Sequence, residues 1–189
     1  MDRLQMKKKL EGKLSSKRFE HSIGVEYTAA TMAFIHGVDE QKAMIAGLLH
    51  DCAKYVSNEK KILKCEKRNI PISECEYANP ELLHAKLSAA YAKEKYEVTD
   101  DEILSAITWH TTGRPAMSTL EKIIYIADYI EPNRNVLPEM DVIRKEAYSD
   151  LDRCLLHILT NSMHYLEKKG SAVDPITKET YDYYSNIIK

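Results

Sequence analysis

Six side chains of metal-binding type, four histidines and two aspartates, are the most chemically informative feature of this 189-residue chain. They follow one another in the order His, His-Asp, His, His, Asp, and are His21, His50, Asp51, His84, His110 and Asp128. Imidazole nitrogen and carboxylate oxygen together suit iron, manganese, zinc and related divalent ions, whereas the absence of thiolates disfavours a structural zinc site. With its two oxygens, the Asp51 carboxylate could bridge two ions. The pattern predicts a centre for one or two divalent metal ions.

Metal-assisted hydrolysis is the chemistry that such a centre would perform. A bound ion lowers the pKa of its water towards neutrality, and two ions can hold both the attacking oxygen and a phosphoryl oxygen. Taken singly, each residue has a simpler explanation, because a lone buried histidine is more often hydrogen-bonded in the core and Asp51 could begin a turn. The candidates nevertheless interrupt apolar helical faces, where a buried polar group needs a partner. Phosphoester or phosphoanhydride hydrolysis is therefore the expected use.

Two basic residues follow the aspartates at spacings that favour phosphate binding. Lys54 lies three residues after Asp51, about one helical turn, so it can reach the same pocket and bind phosphate or orient the nucleophile. A surface lysine in a helical C-terminal turn is the alternative. Arg134 follows Asp128 in DYIEPNR, where Pro132 should end the helix and turn the guanidinium back over the pocket as a phosphate clamp.

Other residues near the six candidate ligands have both a functional and a structural interpretation. Arg18, three residues before His21, could meet a substrate phosphate or an acidic partner, and a structural salt bridge is the preferred reading. Thr111 follows His110 in a glycine-containing loop, where it could donate to phosphate or only form a turn. Glu131 could hold Arg134 in place.

Helical periodicity must position these residues, because no strand-like alternation persists along the chain. Apolar residues at three- and four-residue steps from Phe19 to Phe34, ending at Gly37, predict one amphipathic helix. Asp39 should cap a second helix that leads into His50. A short basic helix is expected from Ser57 to Arg68, and an irregular connection from Pro71 to Pro80.

The second half of the chain should add three more core helices and a long final helix. Pro80 suits a helix start, Thr99 with Glu102 and Ser118 with Glu121 fit the capping-box spacing, and Ser149 should begin a long final helix. Residues 1–14 are expected to form an N-terminal helix, and residues 171–189 a tail that packs on or near the site. We predict an all-α fold with a single domain over residues 1–189.

Composition excludes several classes of protein. With 44% hydrophobic and 30% charged residues, the chain has a globular balance, and its net charge of −2 gives no general reason to bind nucleic acid or anionic membrane. No apolar run approaches the roughly 20 residues of a membrane span. The four cysteines form no CxxC pair and the N-terminus lacks an apolar signal stretch, so a soluble, cytoplasmic protein is expected. His36, His157 and His164 lie outside the set and should be structural or solvated.

With its six residues in this order, the sequence resembles the HD superfamily of metal-dependent phosphohydrolases. The surrounding segments RFEHSIGV, AGLLHDCAK, LLHAKLSA, ITWHTTG and KIIYIADYIEPNR are more closely similar to bacterial symmetrical bis(5'-nucleosyl)-tetraphosphatases. This resemblance implies an HD-type helical bundle with the metal site in its core. It also implies iron as the metal, diadenosine tetraphosphate as the substrate and ADP as the product.

Carried over residue by residue, the resemblance assigns His21, His50, Asp51 and Asp128 to one metal ion. It assigns His84 and His110 to a second ion or to phosphate contacts, and places Lys54, Thr111 and Arg134 near the nucleotide. Asp51 and Lys54 are the expected catalytic residues.

Three alternatives remain open at this point. The same ligand set serves HD-type nucleotidases and nucleoside-triphosphate phosphohydrolases. A nucleotide-sensing helical domain would keep the site for binding alone, and a helical scaffold with coincidental histidines would bind metal weakly. A homodimer is an expectation based only on the frequency of symmetric oligomers.

Overall fold

The computed structural model describes residues 1–134 and 137–188, and within these ranges the chain is helical and contains no strand. A short 3₁₀ helix (Pro80–Leu82) precedes the sixth α-helix. The α-helices are α1 (Arg3–Glu11), α2 (Ser16–His36), α3 (Glu40–Leu49), α4 (Asn58–Glu66), α5 (Glu74–Ala78), α6 (Leu83–Tyr96), α7 (Asp101–Trp109), α8 (Thr119–Ile130), α9 (Met140–Ala147), α10 (Leu151–Lys168) and α11 (Pro175–Ile187). The predicted all-α, single-domain fold is confirmed.

Helix boundaries follow local capping chemistry where the sequence signals were strong. Ser15 accepts a hydrogen bond from Arg18 N at the start of α2, and Gly37 ends that helix with a φ of 68°, in the left-handed region. Asp39 caps α3 and Ser118 caps α8 with the predicted capping box. Each of these three helices contributes residues to the six-residue set.

Four boundary predictions are wrong. The stretch from Pro71 to Pro80 is not wholly irregular, because Ser73 and Glu76 form a capping box that starts α5. Asp100, not Thr99, caps α7, since its carboxylate accepts from the backbone N–H groups of Glu102 and Ile103.

The long helix near the C-terminus also begins later than predicted and is not the last. The Ser149 hydroxyl donates to the carbonyls of Lys145 and Glu146 at the end of α9, so Asp150 caps α10 instead. Helix α11 then occupies most of the predicted tail, whose last residue, Lys189, lies outside the described residues.

The core is formed where α2, α3, α7 and α8 pack against one another, with α6 and α10 on either side. Val25, Leu49, Ile107 and Ile124 are fully buried representatives of these four central helices. Burial of such side chains contributes about 1.5–3 kcal/mol each. Among the described residues, no helix is both long and apolar enough to cross a membrane.

Helix α11 fixes the loop that follows His110. The Tyr184 hydroxyl accepts a hydrogen bond from Met117 N at 2.9 Å, and both groups are buried. Gly113 has a φ of 68°, and a Cβ there would lie 2.9 Å from Thr180 Cγ2. The C-terminal helix therefore packs directly on the loop that contains Thr111.

Replacing Tyr184 by phenylalanine should lower the free energy of unfolding by about 2 kcal/mol, because the buried Met117 N–H would lose its acceptor. For a chain of this length that corresponds to a fall of about 4–8 °C in Tm. The matched control is Tyr183→Phe, since the Tyr183 hydroxyl makes no hydrogen bond within the described residues. Equal melting temperatures for the two variants, measured by calorimetry, would contradict the role given to this hydrogen bond.

Candidate metal centre

Five helices bring the six predicted residues together. His21 lies in the interior of α2, His50 and Asp51 follow the last turn of α3, and His84 is the second residue of α6. His110 follows α7 and Asp128 lies in the last turn of α8. The four histidines and Asp51 are buried, and the Asp128 side chain is 19% exposed. The site is therefore a pocket in the core with one carboxylate at its mouth.

The imidazole Nε2 atoms and the two carboxylates converge on one small volume. His21 Nε2 lies 3.0 Å from Asp128 Oδ1 and 3.2 Å from His50 Nε2. On the other side, His84 Nε2 lies 3.3 Å from Asp51 Oδ1 and 3.2 Å from His110 Nε2. Three combinations of ligand atoms lie close enough to share an ion: His21, His50 and Asp51; His50, His110 and Asp128; and Asp51, His84 and His110.

Asp51 supplies an independent test of whether this volume fits a cation. Its Oδ1 is buried and has no hydrogen-bond partner among the described residues, although His84 Nε2 lies 3.3 Å away. A buried carboxylate oxygen without a partner is costly unless a positive charge satisfies it. Together with the nitrogen and oxygen donor set, this orphaned oxygen fits a divalent ion.

The Nδ1 atoms of three of these histidines make hydrogen bonds to backbone carbonyls. His50 Nδ1 donates to Gly47 O at 2.7 Å, His110 Nδ1 donates to Ile107 O at 2.7 Å, and His84 Nδ1 donates to Glu81 O. Each acceptor is the carbonyl three residues earlier. Those of Gly47 and Ile107 lie in the last turns of α3 and α7, where carbonyls lack intrahelical partners, and that of Glu81 lies in the 3₁₀ helix before α6. These contacts fix the tautomer that leaves Nε2 free to bind a metal.

The protonation states suit metal binding at neutral pH. Burial lowers the pKa of His84 to about 4 and, with the neighbouring imidazoles, the pKa of His110 to about 3. Burial alone would raise the pKa of Asp51 and of Asp128, but the surrounding histidines hold the pKa of both carboxyl groups well below the usual range. For His50, burial alone would lower the pKa, but the adjacent Asp51 carboxylate raises it. Neutral His84 and His110 beside ionised carboxylates are in the forms that bind divalent ions, and binding would release any proton on His50.

Three cationic side chains surround the mouth of the pocket. Arg18 Nη1 donates to Asp51 Oδ2 at 2.8 Å, which identifies the acidic partner predicted for this arginine. Arg134 returns over Asp128, with Nη2 3.1 Å from Oδ1 and Nε 2.8 Å from the backbone carbonyl. The Lys54 ammonium group lies on the remaining side of the mouth, where its contacts join it to α6.

Lys54 and Thr111 both contact His84. Lys54 Nζ lies 3.2 Å from His84 Nε2 and 3.0 Å from Glu81 Oε1, and Thr111 Oγ1 lies 3.2 Å from the same His84 nitrogen. The side chain of Lys54 therefore does point towards the pocket of Asp51. The surface-lysine alternative does not describe it.

A cavity of about 270 Å³ lies beside this rim. Trp109 and Thr111 line one side, and Leu82, Lys86 and Ile176 line the others. Because Thr111 also contacts His84, the cavity adjoins the pocket. Pro175 and Ile176 of α11 contribute to its wall, so the C-terminal helix borders the region.

Glu131 is the residue whose role the sequence reasoning missed. Its carboxylate does not hold the Arg134 guanidinium; Oε1 lies 3.0 Å from His21 Nδ1 instead. Nothing in the local sequence pairs these residues, because 110 positions separate them. An acidic residue at the end of the helix that carries Asp128 was the only available signal.

The three remaining histidines lie outside the centre, as predicted. His36 Nε2 donates to Ala147 O at 2.8 Å, and His157 Nδ1 lies 2.9 Å from Glu146 Oε2. His164 is exposed on α10.

Known proteins resemble this chain over nearly its whole length. Residues 18–133 match the HD domain family model. A protein of Halalkalibacterium halodurans named bis(5'-nucleosyl)-tetraphosphatase, symmetrical, is 42% identical over 89% of each chain. The protein of the same name from Bacillus subtilis is 43% identical over 90% of each chain.

A solved structure agrees with these sequence matches. The crystal structure of a predicted HD superfamily hydrolase involved in NAD metabolism, from Clostridium acetobutylicum, superposes with a TM-score of 0.96 at 40% identity. The superposition covers 99% of this chain and 98% of that one. The HD pair of the sequence, His50-Asp51, lies within the matched region and in the pocket. The chain belongs to the HD domain family.

Proposed function

We propose that this protein is a metal-dependent phosphoanhydride hydrolase that cleaves diadenosine tetraphosphate symmetrically into two molecules of ADP. The observation that carries the proposal is the buried His and Asp centre, whose orphaned Asp51 oxygen fits a cation and whose mouth is surrounded by arginine and lysine. The names of the relatives, which match about nine tenths of each chain, support this substrate.

The metal would be held by the six residues of the centre. Following the resemblance, His21, His50, Asp51 and Asp128 would hold one ion, and Asp51, His84 and His110 lie close enough together to hold a second. Bound divalent ions supply a nucleophile from water near neutral pH and stabilise charge on phosphoryl oxygen. We propose iron, following the resemblance, with manganese or zinc as ions that the same donors accept.

The chain's own cations would bind and orient the tetraphosphate. Arg134 pairs with Asp128, whereas Lys54 lies beside His84 and Glu81. Both cations are partly exposed, so they can contact phosphates on either side of the bond that breaks. Their charge would neutralise the negative oxygens that accumulate on the phosphates as ADP leaves. Thr111 can donate its hydroxyl to a phosphate from the third side. Asp51 and Lys54 are the proposed catalytic residues.

The cavity beside Thr111 provides space for one nucleoside. Trp109 supplies an aromatic surface there, and Leu82 and Ile176 supply apolar contacts. Because the cavity adjoins the cationic mouth, a nucleoside in it could be linked to phosphates at the centre. This arrangement favours a nucleotide substrate over a simple phosphate ester.

Product analysis in ¹⁸O-labelled water tests the proposed function. The metal-loaded protein should convert diadenosine tetraphosphate into two ADP, with one ¹⁸O atom entering one ADP of each pair. ATP with AMP as products would indicate an asymmetric cut and refute the proposal. Faster hydrolysis of ATP or AMP would favour another HD-type nucleotidase, and binding without turnover would favour a sensing domain.

A cytoplasmic location and a homodimer remain predictions from the sequence.

A further inference from the structure

The Glu131 carboxylate is buried at the end of α8, with 1% of the residue exposed. Oε1 lies 3.0 Å from His21 Nδ1, and Oε2 accepts a hydrogen bond from Asn133 N at 2.7 Å. Both oxygens are therefore engaged by N–H groups. The carboxylate lies behind His21, on the side away from Asp128, so it does not face the centre itself.

His21 needs such a partner because, in the interior of a helix, its Nδ1 lacks the backbone carbonyl acceptor that the other three histidines have. Those three donate to carbonyls three residues earlier, near helix ends. His21 lies inside α2, where the equivalent carbonyl, that of Arg18, already accepts from Ser22 Oγ at 3.1 Å. The ring is held instead from the end of α8, by Glu131.

Gly24 makes room for this contact. It lies one turn after His21 on α2, and a Cβ at this position would collide with Glu131 Oε2 and lie 3.1 Å from Glu131 Cδ. An alanine here would not strain the helix, because Gly24 is helical and has no positive φ. Its main effect would be to push the carboxylate away from His21.

We infer that Glu131 is a positioning residue of the metal centre: it fixes the Nδ1–H tautomer of His21, aims Nε2 at the ion and strengthens the imidazole as a ligand. Outer carboxylate partners of this kind typically change metal affinity by about 10–100-fold. The inference rests on the proposed metal centre and adds a residue that does not itself contact the ion.

Two variants disturb the contact in different ways. Glutamine at position 131 has one acceptor oxygen for two N–H groups, so Glu131→Gln must break the bond to His21 or the bond to Asn133 N. Gly24→Ala leaves the carboxylate in the chain but displaces it, while favouring the helix by about 1 kcal/mol. Glu146→Gln is the matched control, since it alters a histidine–carboxylate contact of similar length at His157, outside the centre.

The experiment is a competition titration of Mn²⁺ between the full-length protein and a chelator, with Tm measured on the same samples without added metal. We expect Mn²⁺ affinity to fall about 10–100-fold in Glu131→Gln and Gly24→Ala, and to stay within about twofold in Glu146→Gln. Tyr184→Phe is the stability control: it should lower Tm without touching this contact and keep its Mn²⁺ affinity, so a loss of affinity in Gly24→Ala would not be explained by a lower Tm alone.

Unchanged Mn²⁺ affinity in both variants, or in Gly24→Ala alone if Glu131→Gln does not fold, would overturn the role of Glu131. A wild-type protein that takes up no Mn²⁺ and no Fe²⁺ would overturn the metal centre and with it the proposed function. The two failures are therefore distinguishable.

Discussion

Replacing Asp51 by asparagine should lower kcat/KM for diadenosine tetraphosphate about a thousandfold, a loss of about 4 kcal/mol in transition-state stabilisation. Oδ2 lies 3.5 Å from His50 Nε2 and Oδ1 lies 3.3 Å from His84 Nε2, so one carboxylate serves both halves of the centre. The amide keeps the shape of the side chain but removes its charge and replaces one oxygen by a donor. Steady-state kinetics with saturating Mn²⁺ would measure the change.

Asp152→Asn is the control for this substitution. Asp152 lies on α10, where it pairs with Lys122 and is partly exposed. The same chemical change there should leave kcat/KM within about twofold. A wild-type rate in Asp51→Asn, with the fold checked by circular dichroism, would remove Asp51 from the proposed catalytic centre.

Exhaustive chelation should abolish hydrolysis and lower Tm by about 5–10 °C. An ion present at 100 times its Kd adds about 2.7 kcal/mol to the free energy of unfolding, and each kcal/mol corresponds to about 2–4 °C for a chain of this length. Chelation should lower Tm rather than raise it, because the ligands come from five helices and meet only in the folded protein. Activity assays and scanning calorimetry before and after chelation would test both effects.

Restoration is the control for the chelation experiment. Adding Fe²⁺ or Mn²⁺ under anaerobic conditions should recover activity and Tm together, whereas Ca²⁺, which prefers oxygen ligands, should recover neither. Full hydrolysis by protein shown to contain less than about a tenth of an equivalent of metal would contradict the requirement for an ion.

The sequence predicted long amphipathic helices well and short ones poorly. Helices α2 and α8 each have an apolar face, and the sequence also showed the Gly37 stop of α2 and the Ser118 capping box of α8. Helix α9 has an apolar face of Met140, Ile143 and Ala147 but no capping signal, because Glu139 precedes it with a φ of 59° and no side-chain cap. Its eight residues depend on packing against α8 and α10 rather than on local preference.

The candidate site was predictable to the extent that residue type and spacing define it. The six residues could be selected because unpaired polar groups on apolar helical faces need a common partner. Contacts between distant segments could not be inferred in this way: Glu131 was assigned to Arg134, three positions away, although its partner is His21. Residue spacing could not identify the substrate either, since several nucleotide hydrolases use the same ligands. The resemblance to a known family suggested it.

Because backbone carbonyls support His50, His84 and His110, these ligands could be transferred to another helical protein. Each imidazole donates to the backbone carbonyl of the residue three positions before it. The contact therefore does not depend on which side chains stand at positions 47, 81 and 107. A four-residue helical turn thus contains both the ligand and its support, and it could be grafted as a unit onto another helical scaffold. His21 could not be transferred in this way, because a graft would have to bring the carboxylate from a second helix and the glycine that gives it room.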